Sequence, residues 1–383
     1  LKYIITRIIV FITFGILFFG FDSNQNLYSF PDNKTQNLNR IDEDSSSFSS
    51  DGPIIIYENG KIISYTILPD GTGFKTYKKQ VNKNDLFSCF VDETNQKFSF
   101  HLKDSIKIEK DEYKLPEKMF MISDIEGNFK GFAEILQAAS VINKEFNWTY
   151  GKGHLVLDGD FFDRAVNVTE CLWLIYKLED EAELQGGKVH LILGNHEMMD
   201  LRGNFKYLRK KYLENAKALN LEYNKWYAPD TELGKWLRSK NGIEKIGDYL
   251  FVHGGISKDF PKDRYALTEI NDNIRTSIDK VFKEGEASKD IFIGSQSPLW
   301  YRGIANQEES SDDVEQTLKS FNATKMILGH TIFDEMKYLY DKKVIVIDLE
   351  HQINTENGKM FGLCFENSDF YVVDINGIKT ILK

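Results

Sequence analysis

The sequence predicts an α/β fold in which helices alternate with short buried strands, and three observations carry that prediction. Five apolar runs of three to five residues recur between Met119 and Leu328. They are too short for ordinary helices and suit strands buried on both faces. Longer amphipathic stretches, Phe132 to Phe146 and Val168 to Leu184, read as helices between them. Each run also ends in glycine and chemically active polar residues, as strands do when they deliver side chains to a common crevice.

In chain order, Lys2 and Arg7 precede an apolar run from Ile8 to Phe21. A basic start followed by an apolar stretch reads as a signal peptide or membrane anchor over 1–22. The stretch is close to the ~20 residues that span a bilayer, and no small-x-small cleavage site follows it. A buried core helix is the bland alternative, disfavoured because Ser, Asn and Asp dominate 23–52, which reads as a flexible linker. The expectation is an exported protein, periplasmic or tethered by its N-terminal segment and facing outside the cytoplasm.

From 53 to 116 the chain reads as a small β subdomain. Two β-branched runs flank Glu58-Asn59-Gly60, an Asn-Gly hairpin signal, and FSCFVDETNQKFSFHL repeats the arrangement around Asp92 to Gln96. From 117 to 383 the α/β pattern takes over, its strands being Met119 to Ile122, His154 to Leu157, Val189 to Leu193, Tyr249 to Val252 and Met326 to Leu328. Two long, mostly helical inserts, Asn204 to Ser239 and Tyr265 to Glu286, are expected to form a cap beside the site.

Bulk composition narrows the function. The 383 residues carry 48 basic and 58 acidic side chains, a formal charge of −10. Nucleic acid is therefore not the expected partner, since phosphate backbones are held by clustered Lys and Arg. Cys89, Cys171 and Cys364 form no CxxC pair; three small core residues are expected, one bridge plus a free thiol being the alternative.

The polar clusters at the five run ends carry the chemistry. They read Asp124-Ile125-Glu126-Gly127, Gly159-Asp160-Phe161-Phe162-Asp163-Arg164, Gly194-Asn195-His196-Glu197, His253-Gly254-Gly255 and Gly329-His330-Thr331. A pair of divalent ions ~3.5–4 Å apart needs a bridging carboxylate with oxygen and imidazole ligands around it. One histidine after an apolar run is more often structural, but five such clusters in order outweigh that reading. His101, His154, His190 and His351 lie outside them, and Asp348 and Glu350 stay unassigned.

This ordered set resembles the calcineurin-like metallophosphoesterases, in particular the phosphoprotein phosphatase branch and its bacterial Shewanella-like phosphatases. Their pattern runs GDxHG, GDxxDRG, GNHE, HGG and GHT. MMDLRGNFKYL after GNHE and SPLWYRG from Ser297 to Gly303 strengthen the match, which spans Lys118 to the C-terminus. The resemblance implies a four-layer α+β sandwich and two divalent ions, manganese first, with iron, zinc or magnesium as alternatives. Asp124, Glu126 and Asp160 would hold the first ion; Asp160 would bridge to the second, held also by Asn195, His253 and His330. A water shared by the ions would attack phosphorus in line. His196, oriented by Asp163, would protonate the leaving oxygen. Arg164 and Arg302, with Asn195, would bind the phosphoryl group.

The departure that matters falls on a ligand position: Glu126 stands where the family has histidine. Either its carboxylate replaces the imidazole as a ligand, suiting harder ions, or the first site is weakened and the protein binds phosphorylated ligands without turnover. Retention of His196, Asp163 and both arginines favours the first. The expected function is an exported phosphomonoesterase acting on phosphoproteins, on Ser/Thr or Tyr. Hydrolysis of dinucleoside polyphosphates or other small phosphoesters is the alternative within the fold.

Overall fold

Alternation along the short strands divides the apolar core into layers. In strand Lys118–Ile122, Phe120 and Ile122 join one cluster while Met119 and Met121 join another. The same split sends Leu250 and Val252 of Tyr249–Val252 to one side and Phe251 to the other. Successive side chains of a strand point to opposite faces, so a strand buried on both sides feeds two cores. The shared middle cluster contains Met119, Met121 and Val156 together with Phe251, Ile327 and Ile345. Two sheets therefore pack face to face.

The computed structural model describes residue 44 and residues 46–383. The first six-stranded sheet runs Lys379–Ile381, Asp369–Asp374, Phe361–Glu366, Lys118–Ile122, His154–Asp158, Lys188–Ile192, the last three being parallel. The second runs Lys337–Leu339, Val344–Val346, Lys325–Leu328, Tyr249–Val252, Ile243–Ile246, Glu112–Tyr113. In it Tyr249–Val252, Lys325–Leu328 and Val344–Val346 are parallel. Helices Phe129–Ala138 and Val168–Leu184 bury their apolar sides in the cluster outside the first sheet. Helices Leu267–Asp279 and Ser311–Ser320 do so outside the second. The result is the four-layer sandwich of helix, sheet, sheet and helix.

Several expectations need correction. The helix expected over Phe132 to Phe146 runs instead from Phe129 to Ala138, opened by the Asn128 side chain accepting from Gly131 N. It stops because Ser140 takes a left-handed φ of 57°. Val141, Ile142 and Phe146 remain in the core from non-helical backbone, which is why the apolar period overran the helix. The insert Tyr265 to Glu286 is no cap: Leu267, Ile270, Ile274 and Ile278 are buried in the outer layer of the second sheet. In the insert Asn204 to Ser239, Tyr212, Ala216 and Leu219 are core residues, while Tyr207 does lie beside the site, against His196.

The 53–116 region forms a three-stranded meander, Asp51–Glu58, Lys61–Asp70 and Gly73–Val81, and a hairpin of Phe87–Val91 with Gln96–Phe100. Asn59 and Gly60 both take positive φ (47° and 75°), the backbone of a tight hairpin turn. The region has no core of its own. Phe100 stacks on Trp173 at 4.3 Å, Ile54, Ile67 and Cys89 share the cluster of helix Val168–Leu184, and Glu112–Tyr113 is an edge strand of the second sheet. The end of the segment expected as linker lies on helix Lys210–Leu219, with Phe48 N donating to Glu214 at 2.7 Å and Ser49 N to Asn215 at 3.2 Å. The expected signal or anchor over 1–22 lies outside the described residues. Among the described residues, no helix is long and apolar enough to cross a membrane. Cys89, Cys171 and Cys364 are buried free thiols.

Candidate metal centre

Parallel pairing within each sheet, with the sheets stacked, brings five strand ends to one edge. Asp124 follows strand Lys118–Ile122, Asp160 follows His154–Asp158, Asn195 opens the helix after Lys188–Ile192, His253 follows Tyr249–Val252 and His330 follows Lys325–Leu328. The backbone turns sharply at three of these exits. Asp124, Glu126, Asp160, Asp163, Arg164 and His330 all have φ between 49° and 71°. Left-handed backbone at non-glycine residues costs about 1–3 kcal/mol each and persists where surroundings over-determine it. Here Asp124 N donates to Gly159 O at 2.9 Å, Glu126 N to Asp160 O at 2.9 Å and Gly127 N to Phe161 O at 3.0 Å. The Glu197 carboxylate accepts from Gly194 N at 2.7 Å, Asp160 N at 2.9 Å and Phe161 N at 2.6 Å, tying two loops together. A side chain at Gly194 would collide with Asp160 Oδ1, so the contact requires glycine.

Ligand-type atoms converge in two overlapping groups. One atom each from Asp160, His253 and His330 lie within 4.8 Å of one another, as do atoms of Glu126, Asp160 and His196. His253 Nδ1 donates to the Asp158 carbonyl at 2.6 Å, leaving Nε2 at 3.0 Å from Asp160 Oδ2 and 3.2 Å from Asn195 Oδ1. His330 Nε2 donates to the Trp300 carbonyl at 3.0 Å, leaving Nδ1, which Arg302 Nη2 approaches to 3.5 Å, as the nitrogen available to an ion. Each imidazole is thus held in one tautomer by a backbone carbonyl, as metal-binding histidines usually are. Asp124 accepts from His330 N at 3.0 Å and lies 4.0 Å from His253 Nε2.

Glu126 is placed differently. Its Oε1 is 2.7 Å from Arg164 Nε, and both side chains are partly exposed. His196 Nδ1 is 2.6 Å from Asp163 Oδ2, and its Nε2 is 3.8 Å from Asp160 Oδ2. Arg302, exposed, donates to the His330 carbonyl and to Thr331 Oγ1 at 3.3 Å. Every sequence-selected site residue lies at this edge.

The electrostatics show what the centre requires. Burial pushes Asp124 up to about 6, with His253 opposing the rise. Burial likewise raises Glu126 to about 7, against Arg164 and His196, and Asp158 to about 8, against His253. Burial also opposes the His196 imidazolium, but Asp160 and the Asp163 hydrogen bond hold its pKa up, at about 9. Both oxygens of Asp158 and one each of Asp163 and Asp348 are buried without a hydrogen-bond partner. Crowded, dry carboxylates are costly unless cations neutralise them. A mixed carboxylate, amide and imidazole set fits divalent ions of hard to borderline character.

Some participants escaped the sequence reading. Glu197 occupies the third position of helix Asn195–Leu201, where a glutamate that reaches back is a legible capping signal. Tyr207, whose ring centroid lies 5.2 Å from that of His196 and 4.8 Å from the Arg164 guanidinium, gave no spacing signal. Trp300 acts through its carbonyl, which no residue type advertises. His154 and His190 hydrogen-bond each other at 2.9 Å away from the centre, with Glu244 beyond.

Comparison with known proteins fits this geometry. The calcineurin-like phosphoesterase family model matches residues 118–333. Shewanella-like protein phosphatase 2 of Arabidopsis thaliana is 27% identical over 288 residues, covering 62% of this chain and 72% of that protein. Shewanella-like protein phosphatase 1 of Plasmodium berghei (strain Anka) is 28% identical over 229 residues, or 58% of this chain and 63% of the relative. The crystal structure of a cold-active protein-tyrosine phosphatase from a psychrophilic Shewanella species is 31% identical, with a TM-score of 0.77 and coverage of 88% of this chain and 100% of that one.

Proposed function

Since the chain belongs to the calcineurin-like phosphoesterase family and is a metal-dependent phosphoester hydrolase, we propose that it is an exported phosphoprotein phosphatase using two divalent ions, manganese first, with phosphotyrosine as its preferred ester. The observation that carries the mechanism is the meeting of Asp160, His253 and His330 within 4.8 Å, beside the His196–Asp163 pair. Asp124, Glu126 and Asp160 would hold one ion; Asp160, Asn195, His253 and His330 would hold the other. Bound ions supply Lewis acidity and a nucleophile from water at neutral pH.

The chain's own residues do the rest. In the metal-free chain Asp160 and the Asp163 hydrogen bond favour the His196 imidazolium, and Asp163 would keep that role when Asp160 is engaged by ions. With Nδ1 engaged by Asp163, Nε2 delivers that proton to the leaving oxygen. Arg164 and Arg302 flank the centre with guanidinium groups suited to phosphoryl oxygens. Phosphotyrosine preference rests on the Shewanella enzyme, whose name makes it a protein-tyrosine phosphatase. Export rests on Lys2, Arg7 and the apolar run Ile8 to Phe21.

A panel of phosphotyrosine and phosphoserine peptides, a dinucleoside polyphosphate and sugar phosphates, run with Mn²⁺, Mg²⁺ and Zn²⁺, tests the reading. Fastest turnover of the phosphotyrosine peptide with Mn²⁺ is expected. Dominance of the dinucleotide would replace it with small-molecule hydrolysis. Phosphate binding without turnover under any ion would make the protein a binding module. Fractionation of cells producing the full chain tests export, and recovery in the cytoplasmic fraction alone would remove that part.

A further inference from the structure

We propose that Asp348, outside the five motifs, is a further carboxylate of the first metal site, making it an all-oxygen site that selects hard ions such as Mn²⁺ and Mg²⁺ over Zn²⁺. The inference rests on the two-metal reading above and names a residue that the reading does not use.

Register places Asp348 beside His330. Strand Val344–Val346 runs parallel to Lys325–Leu328 with Val346 opposite Leu328, and Ile347 N donates to Leu328 O at 2.9 Å. Two residues beyond each partner lie His330 and Asp348, at the level where His330 N meets Asp124 Oδ2. Phe333 N donates to Asp348 O at 3.0 Å, fixing the backbone of the exit.

One oxygen of the side chain has no structural partner. Asp348 is 2% exposed, and its Oδ1 has no hydrogen-bond partner. A buried structural aspartate caps a helix or accepts from backbone amides, because a bare carboxylate oxygen is expensive to dehydrate. After burial itself, the groups acting on it most are Asp124 and Glu126, ahead of His253 and Asp160. Its neighbours are thus anions of the first site, which do not satisfy it. A divalent ion does. Glu350, the other residue of this cluster, is exposed.

Asp348 also answers the departure at Glu126. With no imidazole, the first site would comprise Asp124, Glu126, Asp160 and Asp348, all carboxylates. Carboxylate oxygens favour Mg²⁺, Ca²⁺ and Mn²⁺, whereas imidazole and thiolate favour later metals.

Calorimetric titration of Mn²⁺ into the chelator-stripped full chain tests the proposal, with far-UV circular dichroism to verify folding. The wild type is expected to bind two ions. Asp348→Asn, isosteric and neutral, is expected to weaken one of them by at least the ~10–100-fold that loss of a group supporting a ligand costs, and to leave the other unchanged. It is also expected to narrow the preference for Mn²⁺ over Zn²⁺ at the weakened site. Two ions with wild-type affinities in a folded Asp348→Asn protein would overturn the inference alone; fewer than two in the wild type would overturn the two-metal reading beneath it. Should Asp348→Asn fail to fold, Asp348→Glu keeps the charge and moves it by one methylene. Selective weakening of one ion then supports the proposal, and unchanged affinities contradict it.

Discussion

The two halves of the centre are built by different means. Around His253 and His330 every ligand is buried and aimed: backbone carbonyls of Asp158 and Trp300 fix both imidazoles, and Asn195 Oδ1 lies 3.2 Å from His253. Around Glu126 the carboxylate is partly exposed and bonded to Arg164, a residue proposed to bind substrate. The histidine half is oriented before any ion arrives, with Arg302 Nη2 3.5 Å from His330 Nδ1 at its rim. The Glu126 half must break a 2.7 Å bond to Arg164, so it should bind more weakly and respond to substrate. Preorganisation therefore differs within one centre, and the difference falls at Glu126, the ligand position where this chain departs from the family pattern.

The largest expected effect comes from the residue common to both halves. Asp160→Asn should abolish both metal occupancy and turnover, read by metal analysis and p-nitrophenyl phosphate hydrolysis; retention of either half's ion would show the halves to be independent. Next, His196→Asn should slow turnover by ~10²–10⁴-fold, the usual size of a general-acid contribution, while both ions stay bound. Loss of metal in that variant would recast His196 as a ligand.

Smaller effects sharpen the comparison. Glu126→His replaces an anion by a neutral donor, leaves the ions more electrophilic and frees Arg164. Its pH–rate optimum should lie below that of the wild type, and superimposable profiles would count against Glu126 as a ligand. The least effect is on metal-free stability. Asp124 and Asp158 hold protons up to about pH 6 and about pH 8 in the fold, against ~4 when unfolded. The folded chain thus binds more protons across that interval, and stability falls as pH rises from about 4 to 8. His196 works in the same direction: its contribution is complete below ~6.5 and is lost as pH rises through about 9. Thermal melting without metal should therefore decline across this range, and a flat or rising curve would contradict the buried-carboxylate account.

What the sequence revealed follows from which interactions are local. The five strands and helix Val168–Leu184 were legible because strands buried on both faces leave short apolar runs and amphipathic helices leave a period. The motif residues were legible because strand ends carry them, so parallel topology alone assembles them. That the strands belong to two sheets was not legible, since Met121 and Phe251 read alike before packing puts them in one cluster. Nor was the Glu126–Arg164 bond, which depends on left-handed backbone at both residues. Asp348 was visible as a residue but not as a partner, because its nearness to Asp124 comes from strand order rather than spacing.

Turnover of a phosphotyrosine peptide, followed while Mn²⁺ is returned to the chelator-stripped protein, tests the contrast between the halves most directly. The first equivalent should fill the preorganised half and leave the protein nearly inactive, with activity rising as the second equivalent enters beside Glu126. Full activity at one ion per chain, or turnover that survives chelation, would contradict the account.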